Sequence, residues 1–245
     1  MNATGTTSPP RPWTAAELTD RMRAVAERRY HDLHPFNRRM HAGGLTRAEL
    51  RRWILNRFHY QRHIPVKDAL ILAALGTPEL RRSWIRRVRD HDGDRPGEGG
   101  IERWLRLGEA AGLDRDRLLS GADVLPGVRL AVEGYVNFVR LRTPLEAVAS
   151  SLTEMFAPGL MRTRIDAFEK HYGWIDRAGL EYFRSRVPQG TRDGAEALEL
   201  VTAWATTRAD QEAAVAALEF KCDVLWSLLD AVDQASEPNG HGDGR

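Results

Sequence analysis

Apolar residues recur at helical spacing through most of the chain, and no segment alternates apolar with polar as a half-buried strand would. Thr14-Ala15-Ala16-Glu17 is a capping box, a hydroxyl followed three residues on by a carboxylate. It predicts a first helix to about Tyr30, broken by His31–Pro35. Thr46-Arg47-Ala48-Glu49 repeats the box and opens a helix that Pro65 kinks or ends; helix resumes to Ala74 and stops at Gly76. Thr77-Pro78-Glu79 combines a cap, a proline at the first helical position and an early acid, and starts a helix that ends in Arg89–Gly93. The glycine-rich run Gly93–Gly100 reads as a loop. Further helices are predicted over Ile101–Ala111 and Leu125–Arg142, and from Thr143 to Tyr172 with a break at Pro158. Two more, Asp176–Arg186 and Arg192–Thr206, lie on either side of Pro188, and Arg208–Gln234 is the last. The pattern predicts an all-α, single-domain helical bundle of roughly seven to nine helices, about seven of them main ones. The helical domain spans residues 13–235, between disordered tails at residues 1–12 and 236–245 that are rich in Pro, Thr, Ser and Gly.

The helix carrying Trp53–Gln61 departs from ordinary patterning. Trp53, Arg57 and Ile64 fall within about 40° of one line, with Tyr60 and Gln61 flanking it a turn on. An arginine thus stands in an apolar stripe. It keeps its proton, and burying it without an anion costs several kcal/mol. Lys221 is a second case, centred on the apolar face formed by Ala217, Leu218, Val224, Leu225 and Leu228. A lysine there either snorkels to the surface or points into a polar chamber.

Composition sharpens this picture. The 36 basic residues include three lysines, Lys67, Lys170 and Lys221, so arginine serves nearly every surface cation and a retained lysine stands out. A net charge of +2 with no block of like charges does not argue for nucleic acid. No apolar run is long enough to cross a membrane, and residues 1–13 lack the pattern of a signal peptide. The single Cys222 excludes an internal disulfide and any multi-cysteine zinc site, which fits a reducing, cytoplasmic setting.

Other groups are ambiguous from sequence alone. Tyr182 and Arg186, a turn apart, form either a stacked surface pair or part of a cavity, and Tyr135 falls in an apolar helix as a core tyrosine would. Glu154 taken alone reads as an exposed acid, and Arg164 alone says nothing. His59 and His63 have a spacing that can hold a metal, but both fall on the polar side of their helix, where solvated histidines are expected. His91, between two aspartates at a helix C-terminus, is placed where the helix dipole would raise its pKa. No Glu-x-x-His pair, glycine-rich phosphate loop or nucleophile elbow is present. Together these groups predict a helical cavity for a polar, anionic ligand, with no metal.

Several runs, in order and at matching intervals, resemble the pyrroloquinoline-quinone synthase (PqqC) family. They are His34-Pro35-Phe36, Asn56-Arg57-Phe58, Ile64–Ala69, Asp90-His91-Asp92-Gly93, Gly99-Gly100-Ile101-Glu102, Leu125–Arg129, Ser150–Glu154 and Phe220-Lys221. The resemblance covers roughly residues 26–231. It implies a haem-oxygenase-like bundle, a homodimer, and the final step of pyrroloquinoline quinone biosynthesis. That step is ring closure and oxidation of a bicyclic, polycarboxylate quinone precursor by dioxygen with release of hydrogen peroxide, without a metal or organic redox cofactor.

Carried over by position, the resemblance implies catalytic roles for His91, Tyr182, Arg186, Glu154 and His31. His91 would transfer protons and stabilise reduced oxygen. Tyr182 and Arg186 would complete the oxygen site once a helix closes over the ligand. Glu154 would move a proton or orient a neighbour, and His31 would assist ring closure. Tyr30, Arg57, Tyr60, Gln61, Lys67, Tyr135, Thr153, Arg164 and Lys221 would bind substrate, the cations among them holding carboxylates. One position departs: Met161 stands where the family has a histidine, and a thioether cannot shuttle a proton. That departure is the feature for a second reading, a carrier that holds the quinone without turnover; a third is a related helical oxidase with another small-molecule substrate.

Overall fold

The chain is described here by a computed structural model covering residues 10–235. Of the predicted tails, 1–12 and 236–245, residues 1–9 and 236–245 lie outside the described residues, and residues 10–14 lead into the first helix without regular structure.

The described chain is helical and contains no strand. Helix α1 (Ala15–Arg29) opens on the predicted Thr14/Glu17 box and is followed by a 3₁₀ turn, His31–Leu33. Next come α2 (Pro35–His41), α3 (Arg47–Gln61, with the Thr46/Glu49 box), α4 (Ile64–Ala74) and α5 (Pro78–Asp92). Then follow α6 (Gly99–Ala110), α7 (Arg115–Ser120), α8 (Pro126–Leu141) and α9 (Pro144–Ala149). A 3₁₀ segment, Ser150–Met155, leads to α10 (Ala157–His171), and a further turn leads to α11 (Glu181–Trp204) and α12 (Arg208–Asp233).

The differences from the sequence pattern have local causes. Helices α2 and α7 are too short to show periodicity. They are started by side-chain caps, His34 accepting from the Phe36 N–H and Asp114 from the Arg117 N–H. Pro158 does not break the Thr143–Tyr172 stretch. It sits in the first turn of α10, where its missing N–H costs nothing, and the interruption is the 3₁₀ segment just before it. Pro188 does not separate two helices either, since α11 runs through it unbroken. Beyond the proline, close packing holds the helix in place: Gly190 lies against Pro158, and Gly194 against the backbone of Met155. A Cβ on Gly194 would come within 2.8 Å of the Met155 nitrogen.

The aromatic core is Trp53, Trp104, Phe168 and Phe183, with Trp53 and Trp104 5.4 Å apart and Phe168 and Phe183 5.3 Å apart. Helix α3 passes through the middle, and every residue from Trp53 to Gln61 is buried. The expected polar side of α3 is therefore absent, because α6, α8 and α12 cover it. His59 is buried, not solvated, and neither of its ring nitrogens has a hydrogen-bond partner. Burial, with His63, Arg62 and Arg129 nearby, pushes its pKa down to about 4.

Candidate active site

The C-terminal end of α3, the turn after α1, the Ser150–Met155 segment, the start of α10 and the first half of α11 meet around one interior cavity. Tyr30, His31, Arg57, Tyr60, Gln61, Thr153, Glu154, Tyr182 and Arg186 line it, with Ile64, Ala157, Met161 and Leu225 as the apolar wall. Its volume is about 40 Å³, far below the several hundred Å³ of a typical small-molecule site. A larger recess of about 450 Å³ lies between α1 and α10 and shares Tyr30 with the cavity. The charged groups converge on the smaller space, which makes it the candidate site.

On the cationic side, the Arg57 guanidinium lies over the Tyr60 ring, 4.1 Å from its centroid, and its Nε has no partner. Lys221 is buried rather than snorkelling. Its Nζ donates to the Tyr60 hydroxyl at 2.6 Å and sits 3.4 Å from the centroid of Tyr135. Arg164 donates to Asn37 at 3.2 Å and lies beside Trp53. Among the described residues none of these three has a carboxylate in ion-pairing reach, whereas Lys67 is bound to Asp68 at 2.6 Å and Arg186 to Glu154. The cost shows in their titration. Burial, then Lys67 and Arg57, holds the Lys221 ammonium well below its ordinary pKa. Burial and Arg57 bring even Arg164 down to about 9.

At the opposite end, the Tyr182 hydroxyl donates to Gln61 Oε1 at 2.7 Å, and Arg186 pairs with Glu154. The face of α11 is thus already seated on the cavity. Burial opposes the Glu154 carboxylate, but Arg186, Lys67 and Arg87 overcome it and bring the pKa to about 2. His91 lies behind Tyr182. Both rings border Gly100, where a Cβ would sit 3.4 Å from each. The His91 Nδ1 is 3.0 Å from the Arg87 carbonyl, and Nε2 is buried without a partner. A carbonyl accepts, so Nδ1 carries the proton and Nε2 presents a lone pair. The expectation of a raised His91 pKa is overturned: burial and then Arg186 lower it to about 4, outweighing the helix end. His31 is likewise held neutral, by burial and then Arg57 and Arg164, and its Nδ1 has no partner.

Nine of the sequence-derived residues therefore form the wall, and Lys221, Tyr135, Arg164, His91 and Lys67 stand directly behind it. Lys67 differs from the reading of a free carboxylate binder, because Asp68 and the Ser151 hydroxyl, at 2.9 Å, already hold its ammonium. Burial works against that ammonium, yet Asp68 raises its pKa. Asn37, Arg87 and Asp193 were missed. Asn37 bridges Arg164 and the His31 carbonyl, and only its place two residues after Pro35 offered a signal. Among the described residues no three His, Cys, Asp or Glu side chains gather as a metal site.

The chain is 51% identical over 219 residues to the pyrroloquinoline-quinone synthase of Granulibacter bethesdensis, covering 89% of this chain and 86% of that one. It is 50% identical over 228 residues to the protein of the same name from Pseudomonas putida, covering 93% and 90%. Among solved structures, a domain with a haem-oxygenase-like fold from Shewanella denitrificans superposes with a TM-score of 0.70 at 15% identity, over 89% of this chain and 90% of that one. At that identity the likeness speaks for the fold, which is haem-oxygenase-like. Residues 19–231 match the TENA/THI-4/PQQC family, and this chain belongs to it.

Proposed function

We infer that the chain catalyses the reaction for which its relatives are named, the synthesis of pyrroloquinoline quinone, as an oxidase of the final biosynthetic step. One observation carries the reading at the level of the site: Arg57, Arg164 and Lys221 are buried around one cavity without a carboxylate among them. A guest with several carboxylates supplies the missing charge, and a quinol-type guest supplies the electrons.

Arg57, Arg164, Lys221, Tyr60 and Gln61 hold the carboxylates and ring oxygens, the arginines as forks and the lysine as a point charge. Thr153, Tyr30 and Tyr135 shape the ring slot. Lys67 acts indirectly, fixing Ser151 beside Thr153. Each dioxygen takes an electron pair from the reduced ring system and two protons, leaving as hydrogen peroxide. His91, neutral with its Nε2 lone pair free, accepts a ring proton and passes it on. Arg186 and the Tyr182 hydroxyl stabilise negative charge on reduced oxygen. Glu154 holds Arg186, and His31 assists ring closure from the other wall. Met161 lies on the apolar side of the cavity, so in this chain proton transfer falls to the histidines that are present.

We place the active form as a homodimer in the cytoplasm. On α8, Leu130 and Leu141 are exposed in one line with Gly134 and Asn137 between them, and a second copy would cover the two leucines. The one cysteine is buried and unpaired, and among the described residues no helix is long and apolar enough to cross a membrane.

The test is turnover. Purified protein incubated with the quinone precursor under air should produce quinone absorbance together with peroxide. Folded protein that binds the quinone tightly but converts no precursor would select the carrier reading instead.

A further inference from the structure

Asp193 lies outside the cavity wall, yet it touches both ends of the oxygen side. Its carboxylate is buried on α11, 3.6 Å from the Arg186 guanidinium and 2.6 Å from that of Arg192. Its backbone carbonyl accepts from the buried guanidinium of Arg87 on α5. The Arg87 carbonyl, in turn, is the acceptor for His91 Nδ1–H. Arg186 is therefore held at both arms of its fork: one pairs with Glu154 at the cavity, and the other donates to Gln189 Oε1 at 3.2 Å and lies in ion-pairing reach of Asp193. A second carboxylate off the far arm of a planar fork favours one orientation of its plane, which Glu154 alone would not fix.

The surroundings are charge-balanced. Arg186 and Arg192 on α11 and Arg87 on α5 face Asp193, Glu154 and Asp90, and Arg192 also binds Asp90. From α4, Lys67 faces Glu154 and Asp68 faces His91. Gly194, next in the chain, lets α11 approach the Glu154 segment closely enough for both grips to form.

We infer that Asp193 is a positioning residue for the reaction, holding Arg186 in place through its carboxylate. This rests on the function proposed above. The carboxylate attracts the arm of the fork that faces away from Glu154.

The variants are Asp193→Asn, Asp193→Glu and, as a control, Glu196→Gln. Glu196 also fastens α11 to α5, through Arg86 and Ser83, but has no contact with Arg186 or His91. Asp193→Asn should lower kcat by about 10- to 100-fold with the KM for precursor changed less than about threefold. The acid limb of its kcat profile should move to lower pH, because losing a negative charge makes His91 harder to protonate. Glu196→Gln should match the wild type in both. A wild-type kcat in Asp193→Asn overturns the inference. So do equal losses in Glu196→Gln, which would mean that fastening the helices is all that matters. If Asp193→Asn does not fold, Asp193→Glu decides: a lowered kcat with an unmoved acid limb supports positioning, and a wild-type kcat refutes it. Guanidinium nitrogen signals of labelled Arg186 report how freely it rotates without turnover. They should show faster rotation in Asp193→Asn, and unchanged signals count against the grip. A wild-type protein with no turnover would sink the proposed function while leaving this spectroscopic arm to judge Asp193.

Discussion

Lys221→Met isolates the central physical claim, because methionine keeps the length and apolar stem and removes the charge. In the wild type the Lys221 ammonium has the Tyr60 hydroxyl and two aromatic faces for company, but no carboxylate. A charge-assisted hydrogen bond to a substrate carboxylate contributes about 1.5–3 kcal/mol. Its loss should weaken quinone binding by about 10- to 150-fold, at 1.4 kcal/mol per tenfold. The fold responds oppositely. Because burial holds the folded-state pKa well below 10.5, the unfolded chain binds the proton first as pH falls, and the wild type loses stability below that value. The methionine variant escapes this loss, so its melting temperature relative to wild type should rise from pH 10 to pH 7. Binding itself should draw in a proton, since an arriving carboxylate restores the charge that burial suppresses. Calorimetry with pyrroloquinoline quinone in two buffers of different ionisation enthalpy reads that uptake, which the variant should largely lose. Binding within threefold of wild type, with the same proton uptake, would refute the argument.

Other outcomes follow from the same geometry. Gly194→Ala places a Cβ within 2.8 Å of the Met155 backbone; it should cost about 1–3 kcal/mol in a denaturant titration and lower kcat, since the Glu154 segment must shift. Tyr182→Phe removes the donor to Gln61 and should lower kcat more than it raises KM in steady-state kinetics. The histidines at positions 59 and 91, with pKa values near 4 in the fold against about 6.5 unfolded, take up protons first in the unfolded chain. Melting temperature should therefore fall as pH drops from about 6.5 to 4, with a shallower slope in His59→Gln. Met161→His restores the histidine of the resembling family and should leave kcat within about threefold, while a tenfold gain would show that proton transfer limits this chain.

The sequence carried the architecture where chemistry is local. The boxes at Thr14 and Thr46 form as written, and prolines at helix starts lie where their missing N–H is harmless. Arg57 and Lys221 were legible as inward cations because an apolar stripe makes a charge conspicuous. Much of the wall came from the family resemblance, since Tyr30 and Thr153 have no local signature. The environment of each group was not legible. His59 sits on a side of α3 that only tertiary packing covers, and His91 follows its burial rather than its helix end. The largest omission has one cause. Dividing α11 at Pro188 put Arg186 and Asp193 in different helices, hiding that seven residues on one helix return to within about 20° of the same face.

That unbroken α11 has a mechanical consequence. Tyr182, Arg186 and Asp193 are points on a single stiff rod whose far end, near Trp204, lies several turns from the cavity. Room for a guest larger than the present hollow must come from movement of the rod or of what faces it. If the rod moves, both oxygen-facing side chains and their anchor travel together, so substitutions where α11 meets its neighbours far from the guest would retune turnover at a distance.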